Sequence, residues 1–210
     1  MDVILVIFLS YIIGSIPFGL ILTKIFTNTD LRKIGSGNIG ATNVLRTGNK
    51  LLAITTLILD GLKGYIPVII TQQYFSDLTH VSCLLTFLGH VFPIWLKFKG
   101  GKGVATYLGV LFALSLQLSF LFMFTWLVVS LIFKYSSLSS MFASLTVFVI
   151  YAIKQVANPI VSKMLDETTN TIAVSANTSL TLFIFFILII FTHRKNISNL
   201  KNKTERKIKL

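Results

Sequence analysis

The sequence predicts an all-α membrane protein of about seven transmembrane helices, with the N-terminus outside and the C-terminus in the cytoplasm. Three observations carry this. The chain of 210 residues is 54% hydrophobic and 12% charged, where soluble domains carry about 25% charged residues; its mean hydropathy is +0.81. Several apolar runs approach or exceed the roughly 18 residues of a bilayer span. The net charge of +12 is gathered in short segments between and after those runs. The length suits a single domain, residues 1–210.

The first run, residues 3–26, follows an acid, Asp2, and outlasts a signal peptide, so it reads as an uncleaved span. Pro17, within "GSIPFG", should kink it. The second run, 51–74, carries Asp60 and Lys63 at i, i+3, on one helix face. Charges at membrane depth are costly, and a structural ion pair is the favoured reading over a substrate role. The third run, 80–96, holds the lone Cys83, a small core residue, and His90, a helix-packing hydrogen bonder.

The fourth run, 104–133, would measure about 45 Å as one helix, beyond a hydrocarbon core of about 30 Å. Two short spans turning near 117–119 solve this, and they put Lys134 and the basic C-terminus on the same side. Runs 138–151 and 177–192 complete the set, while the polar stretch 155–176 reads as a loop or surface helix. Lys and Arg concentrate before the second run, between the third and fourth, and after the last. The positive-inside rule places all three segments in the cytoplasm. Bilayer topology thus accounts for most of the charge, and nucleic acid is not expected as a partner.

The first basic segment contains Gly35-Ser36-Gly37-Asn38-Ile39-Gly40, a G-x-G-x-x-G match with Asp60 20 residues on. A dinucleotide site requires a strand before that turn; here an apolar span precedes it. Glycines and cations together suit phosphate, through backbone N–H nests and side-chain clamps. The second segment repeats the formula with Lys97, Lys99, Gly100, Gly101, Lys102 and Gly103, and the third places His193, Arg194, Lys195 and Asn196 after the last span. Three such segments on one face are more than topology needs. A transporter would place its polar residues near the midplane of repeated halves, and no internal repeat is evident. The acids form no metal-binding cluster, and no metal or cofactor is expected.

"SGNIGATNVLR" (36–46), "DGLKG" (60–64), "GHVFPIWLKFKGGKGVAT" (89–106) and "HRKNI" (193–197), in this order, resemble the bacterial acylphosphate:glycerol-3-phosphate acyltransferases. The resemblance runs from the first span to the tail. It implies a seven-helix inner-membrane enzyme with motif segments 36–46, 89–106 and 193–205 on the cytoplasmic side. It implies transfer of an acyl chain from acyl phosphate to the 1-hydroxyl of glycerol 3-phosphate, in contact with membrane lipid and supplied by a cytoplasmic acylphosphate-producing enzyme. The catalytic set it implies is Ser36, Lys102, His193 and Asn196. The substrate- or phosphate-binding set is Ser36, Gly37, Asn38, Gly40, Asn43, Arg46, Gly101, Lys102 and Asn196. Acyl phosphate has a good leaving group, so positioning and charge stabilisation can carry the rate without a protein nucleophile. Ser36 is then a hydrogen-bond donor, and His193 is either the general base or an orienting group. The tail departs from the family pattern "HRxNIxRLxxGxE": Asn199 stands at the arginine and Lys203 at the glycine, while Leu200 and Glu205 remain.

Overall fold

The structure, a computed structural model, describes residues 1–165 and 176–208. Regular structure among the described residues is helical throughout. The chain forms two compact units, Met1–Ser119 and Phe120–Leu210. The first contains α1 (Asp2–Gly14), α2 (Phe18–Thr27), α3 (Ala41–Val44), α4 (Lys50–Tyr74), α5 (Thr79–Val91), α6 (Val104–Leu114) and the start of α7 (Leu116–Phe133). The second contains the rest of α7, then α8 (Ser136–Leu165), α9 (Ala176–Thr192) and α10 (Arg194–Lys201).

Among the described residues, five helical segments are long and apolar enough to cross a bilayer: Asp2–Thr27, Lys50–Tyr74, Ser76–Leu96, Leu116–Phe133 and Ser136–Ala157. The pair Asn177–Thr192 and Arg194–Lys201, bent by 56°, makes a sixth if taken as one span, and Val104–Leu114 is apolar but short. At 1.5 Å per residue α6 reaches only about 17 Å, so the expected seven spans appear as five or six plus one short helix. Large apolar side chains such as Ile4, Leu51 and Phe124 are 73%, 73% and 68% exposed. On such long apolar helices, exposure of this kind marks lipid-facing surface.

In the first unit Pro17 separates α1 from α2, as the sequence predicts. Small residues set the crossings. A Cβ at Gly14 would overlap the Thr86 backbone, and one at Gly89 would overlap Tyr11, so α1 and α5 meet backbone to backbone. Ser10 Oγ lies 2.9 Å from Ser82 Oγ across the same crossing. α4 meets α6 in the same manner, Gly64 against Thr106 and Gly109 against Gly61. α5 stops ahead of Phe92-Pro93, where proline disfavours a helical residue before it. Tyr11 then donates to the Phe92 carbonyl at 2.6 Å, and Trp95 Nε1 donates to Ser15 Oγ at 2.8 Å.

The long fourth run does break, but at Ser115 rather than near 117–119. Ser115 is extended (φ −168°, ψ 124°), and its Oγ accepts the Leu118 N–H at 3.5 Å. It thus caps α7, and residues 117–119 become that helix's first turn.

In the second unit α8 packs on α9, with Phe148 ring centroids 5.2 Å from Phe183 and 6.5 Å from Phe186. α8 runs beyond the expected 138–151, because residues 152–157 contain no Gly or Pro to stop it. It takes in 155–165 of the stretch expected as a loop or surface helix; residues 166–175 of that stretch lie outside the described residues.

Candidate active site

The first basic loop is tied together by one buried amide. Asn43 is 2% exposed. Its Nδ2 donates to the carbonyls of Leu31 (3.0 Å), Ile34 (3.0 Å) and Asn38 (2.7 Å). Its Oδ1 accepts from Ser36 N (3.0 Å), Ser36 Oγ (3.3 Å) and Arg46 Nη1 (3.3 Å). Asn43 thereby brings Ser36 and Arg46 into one turn while itself facing inward. Asn38 Oδ1 accepts the Gly40 N–H at 3.1 Å. Beneath the turn, Leu31, Ile39 and Val44 bury with Leu52 and Ala53 of α4 in an apolar cluster, against which Leu96 also packs. Apolar burial therefore anchors the loop, and Leu96 carries the second basic segment to the same end of the unit.

Asp30 caps the 3-10 turn Leu31–Lys33, accepting from Arg32 N at 3.1 Å and pairing with its guanidinium at 3.0 Å. The hydrogen bonds from the Arg32 side chain and N–H hold the Asp30 carboxyl below its ordinary range. Its small stabilising contribution is present at neutral pH and is lost as pH falls through that lowered value.

Glycine serves the two loops differently from the N–H nest expected. Gly37 N donates to Ile34 O at 2.8 Å, Gly100 N to Val91 O at 3.0 Å and Gly101 N to His90 O at 3.1 Å. With the Gly40 N–H on Asn38, these donors are turned onto the protein. What glycine supplies is shape. Gly37 and Gly103 are left-handed, with φ 71° and 80°. A Cβ at Gly101 would overlap the His90 imidazole, and one at Gly103 would overlap the Phe87 ring. The second loop thus lies flat on the end of α5 and presents Lys102, a partly exposed residue, ahead of α6.

In the second unit His193 is 1% exposed at the bend between α9 and α10. Its Nδ1 lies 2.8 Å from the Ile189 carbonyl. A carbonyl can only accept, so Nδ1 carries the proton, and in the neutral ring Nε2 carries the lone pair. Three residues on, Asn196 Nδ2 donates to Glu205 Oε1 at 2.6 Å. Glu205 also accepts from Ser137 Oγ at 2.8 Å and, through Oε2, from Asn199 Nδ2 at 3.2 Å.

Sequence reasoning kept Glu205 only as a motif match and gave Asn199 no role. Here Asn199 occupies the carboxylate oxygen that Asn196 and Ser137 leave. The turn that returns Glu205 to Asn196 has a defined form: Thr204 N donates to Asn199 O (2.8 Å) and Lys203 N to Leu200 O (3.1 Å), with Lys203 at φ 58°. This is a Schellman motif, whose left-handed position is normally glycine, and it explains the family glycine that Lys203 replaces.

Apolar spans with lipid-facing side chains and two basic loops at one end of the first unit define an integral membrane protein. The family profile described as glycerol-3-phosphate acyltransferase matches residues 4–203. A glycerol-3-phosphate acyltransferase of Pelagibacter ubique (strain HTCC1062) is 48% identical over 210 residues, covering 100% of both chains. One from Mesorhizobium japonicum is 47% identical over 206 residues, covering 98% of this chain and 95% of its own. Among solved structures, the crystal structure of PlsY, an integral membrane glycerol 3-phosphate acyltransferase, aligns in its glycerol 3-phosphate form with a TM-score of 0.87 and 32% identity, over 100% of this chain and 96% of that one. Its lysophosphatidic acid form aligns with a TM-score of 0.85. The chain belongs to the glycerol-3-phosphate acyltransferase family.

Proposed function

We propose that this protein transfers a fatty acyl group from acyl phosphate to the 1-hydroxyl of glycerol 3-phosphate, releasing inorganic phosphate and lysophosphatidic acid. The observation that carries the reading is the turn in which Asn43 binds Ser36 and Arg46 together above an apolar anchor. It holds a hydroxyl and a guanidinium where a phosphate would meet both. The relative solved in glycerol 3-phosphate and lysophosphatidic acid forms supports it.

The substrate hydroxyl oxygen bonds to the acyl carbon, the bond from that carbon to the phosphate oxygen breaks, and the hydroxyl proton departs. In this scheme the proton goes to Nε2 of His193, the unprotonated nitrogen of the tautomer set by the Ile189 carbonyl. Arg46, Lys102 and the Asn196 amide hold phosphate or carbonyl oxygens, and the Ser36 hydroxyl, turning its one proton from Asn43 to the substrate, donates a hydrogen bond. Gly37, Asn38, Gly40, Asn43 and Gly101 shape the loops that present these groups. An apolar groove of about 420 Å³ between α4 and α6, lined by Leu57, Ile58, Gly61, Ala105 and Leu108 among others, accepts part of the acyl chain. Its lining begins on α6 three residues after Lys102.

The enzyme sits in a bacterial inner membrane with the basic segments cytoplasmic, the N-terminus outside, and seven spans when α6 and the bent α9–α10 pair each count as one. The family profile runs through both units, which supports one enzyme domain. A cytoplasmic enzyme supplies the acyl phosphate; metal and other cofactors have no part in the scheme.

The test uses purified protein in detergent, labelled glycerol 3-phosphate, and either palmitoyl phosphate or palmitoyl-CoA. Lysophosphatidic acid is expected from palmitoyl phosphate alone, with kcat/KM about 100-fold lower in Lys102→Ala. Equal turnover of the CoA thioester would overturn the donor assignment. Absence of product from folded protein with both donors would overturn acyl transfer.

A further inference from the structure

Three buried polar residues of the spans have no part in the scheme above. Asp60 and Lys63 of α4 and His90 of α5 are 2%, 3% and 4% exposed. Lys63 Nζ lies 2.8 Å from Asp60 Oδ1, the ion pair the sequence predicts. Lys63 also donates to the Ile16 carbonyl, at the break that Pro17 makes between α1 and α2. His90 does not act as the helix-packing hydrogen bonder expected of it. Its Nδ1 makes no hydrogen bond and faces Asp60 Oδ1 at 3.8 Å.

The other side of that ring is the seat of the second loop. Gly101 packs where a Cβ would overlap His90 Nε2, and Gly100 where one would overlap the His90 carbonyl. The backbone binds at the same point, Gly101 N to His90 O at 3.1 Å and Gly100 N to Val91 O at 3.0 Å. Lys102 follows directly. A rotation of the imidazole would therefore press on Gly101 and move the residue beside it. On its far side the ring faces the Asp60 carboxylate at 3.8 Å, whose charge Lys63 balances.

We propose that His90, oriented by the Asp60–Lys63 pair, is a positioning residue that fixes the Gly100–Lys102 backbone, and with it the Lys102 ammonium, in the geometry that binds substrate phosphate. The proposal rests on the reading of Lys102 as a phosphate-binding residue. It explains why a charged pair is retained at membrane depth, where apolar side chains would pack more cheaply.

The test measures steady-state kinetics of the full chain with palmitoyl phosphate and glycerol 3-phosphate, and thermal melting in detergent. The variants are His90→Gln, the pair Asp60→Leu/Lys63→Met, the triple combination, and Lys102→Ala. Replacing both partners of a buried ion pair with apolar residues of similar volume is often neutral or stabilising, so the pair variant remains informative if His90→Gln does not fold. KM is expected to rise about tenfold in His90→Gln and in the pair variant, for the same phosphate substrate that Lys102→Ala affects, with the melting midpoint unchanged. The triple variant is expected to be no worse than the pair variant, because both act through one contact. Where turnover is too slow for a KM, the rise in melting midpoint on adding each substrate reports the same affinity. Unchanged KM in the folded His90 and pair variants, with Lys102→Ala impaired, overturns the positioning role and leaves the phosphate reading of Lys102 standing. A lowered midpoint with unchanged KM reduces the three residues to packing and also overturns it. Lys102→Ala behaving as wild type overturns the phosphate reading itself.

Discussion

Lys203 occupies the position at which the tail of the family carries glycine, and its backbone shows why. At φ 58° it completes the Schellman turn that sends Glu205 back to Asn196. A left-handed residue with a Cβ costs roughly 1–2 kcal/mol, partly offset by the greater freedom glycine has in the unfolded chain. Lys203→Gly is expected to stabilise the protein by about 1 kcal/mol, read as a raised melting midpoint in detergent; a lowered midpoint would show that the lysine side chain stabilises more than the backbone strain removes. Asn43 and His193 teach the complementary lesson. Each is recognisable in the sequence by its motif, yet the six hydrogen bonds that make Asn43 a scaffold come from five residues within 31–46 folded around it. Residue types announce chemistry, whereas partners depend on how the chain closes.

The helices meet through glycine wherever α4 crosses α6 and α1 crosses α5. In lipid, water does not drive helices together, so close backbone approach and van der Waals packing must. Gly109 faces the Gly61 carbonyl with no room for a methyl group. Gly109→Ala is expected to destabilise the protein by about 1–3 kcal/mol through forced separation of α4 and α6, seen as a fall in melting midpoint. An unchanged midpoint would mean the crossing yields without loss. Element boundaries were partly legible beforehand. Pro17 interrupts the first run as expected, whereas the third run, expected to continue to residue 96, ends its α-helix at Val91, ahead of Pro93. The break in the fourth run was foreseen from its length, but its place was not. Ser115 and Ser119 are alike in sequence, and only the folded backbone shows Ser115 extended and Ser119 helical.

At the scale of the whole chain, orientation rests on where Lys and Arg lie. In a background with Cys83 replaced, single cysteines at Lys50, Lys99 and Lys201 report the basic segments and one at Asp77 reports the segment between α4 and α5; all four positions are exposed. A membrane-impermeant maleimide is expected to label Asp77→Cys in intact spheroplasts and the other three only after permeabilisation. Labelling of Lys99→Cys in intact spheroplasts would invert the topology and remove the cytoplasmic site. The count of spans belongs to this scale too. Hydropathy alone divides the chain into apolar runs, but α6, at about 17 Å, shows that an apolar run need not be a bilayer-length helix.

The sequence by itself determined the class of the protein. Composition, the long apolar runs, the cations clustered between them and the four ordered motifs sufficed for a helical membrane acyltransferase, because hydropathy and motif spacing are properties of the chain. Tertiary structure decided what the conspicuous residues do. The glycines looked like donors for an anion and turned out to be clearances, Gly101 for His90 and Gly103 for Phe87, with the Gly101 N–H already spent on His90. Asn199 looked like a lost arginine and became one of the groups holding Glu205. His90 looked like an ordinary helix-packing residue and became the seat of a loop. The physical reason is common to all three. A glycine's use depends on what lies within about 4 Å of its missing Cβ, and a polar group's use depends on which donors and acceptors remain unpaired. Neither is fixed until distant segments have packed.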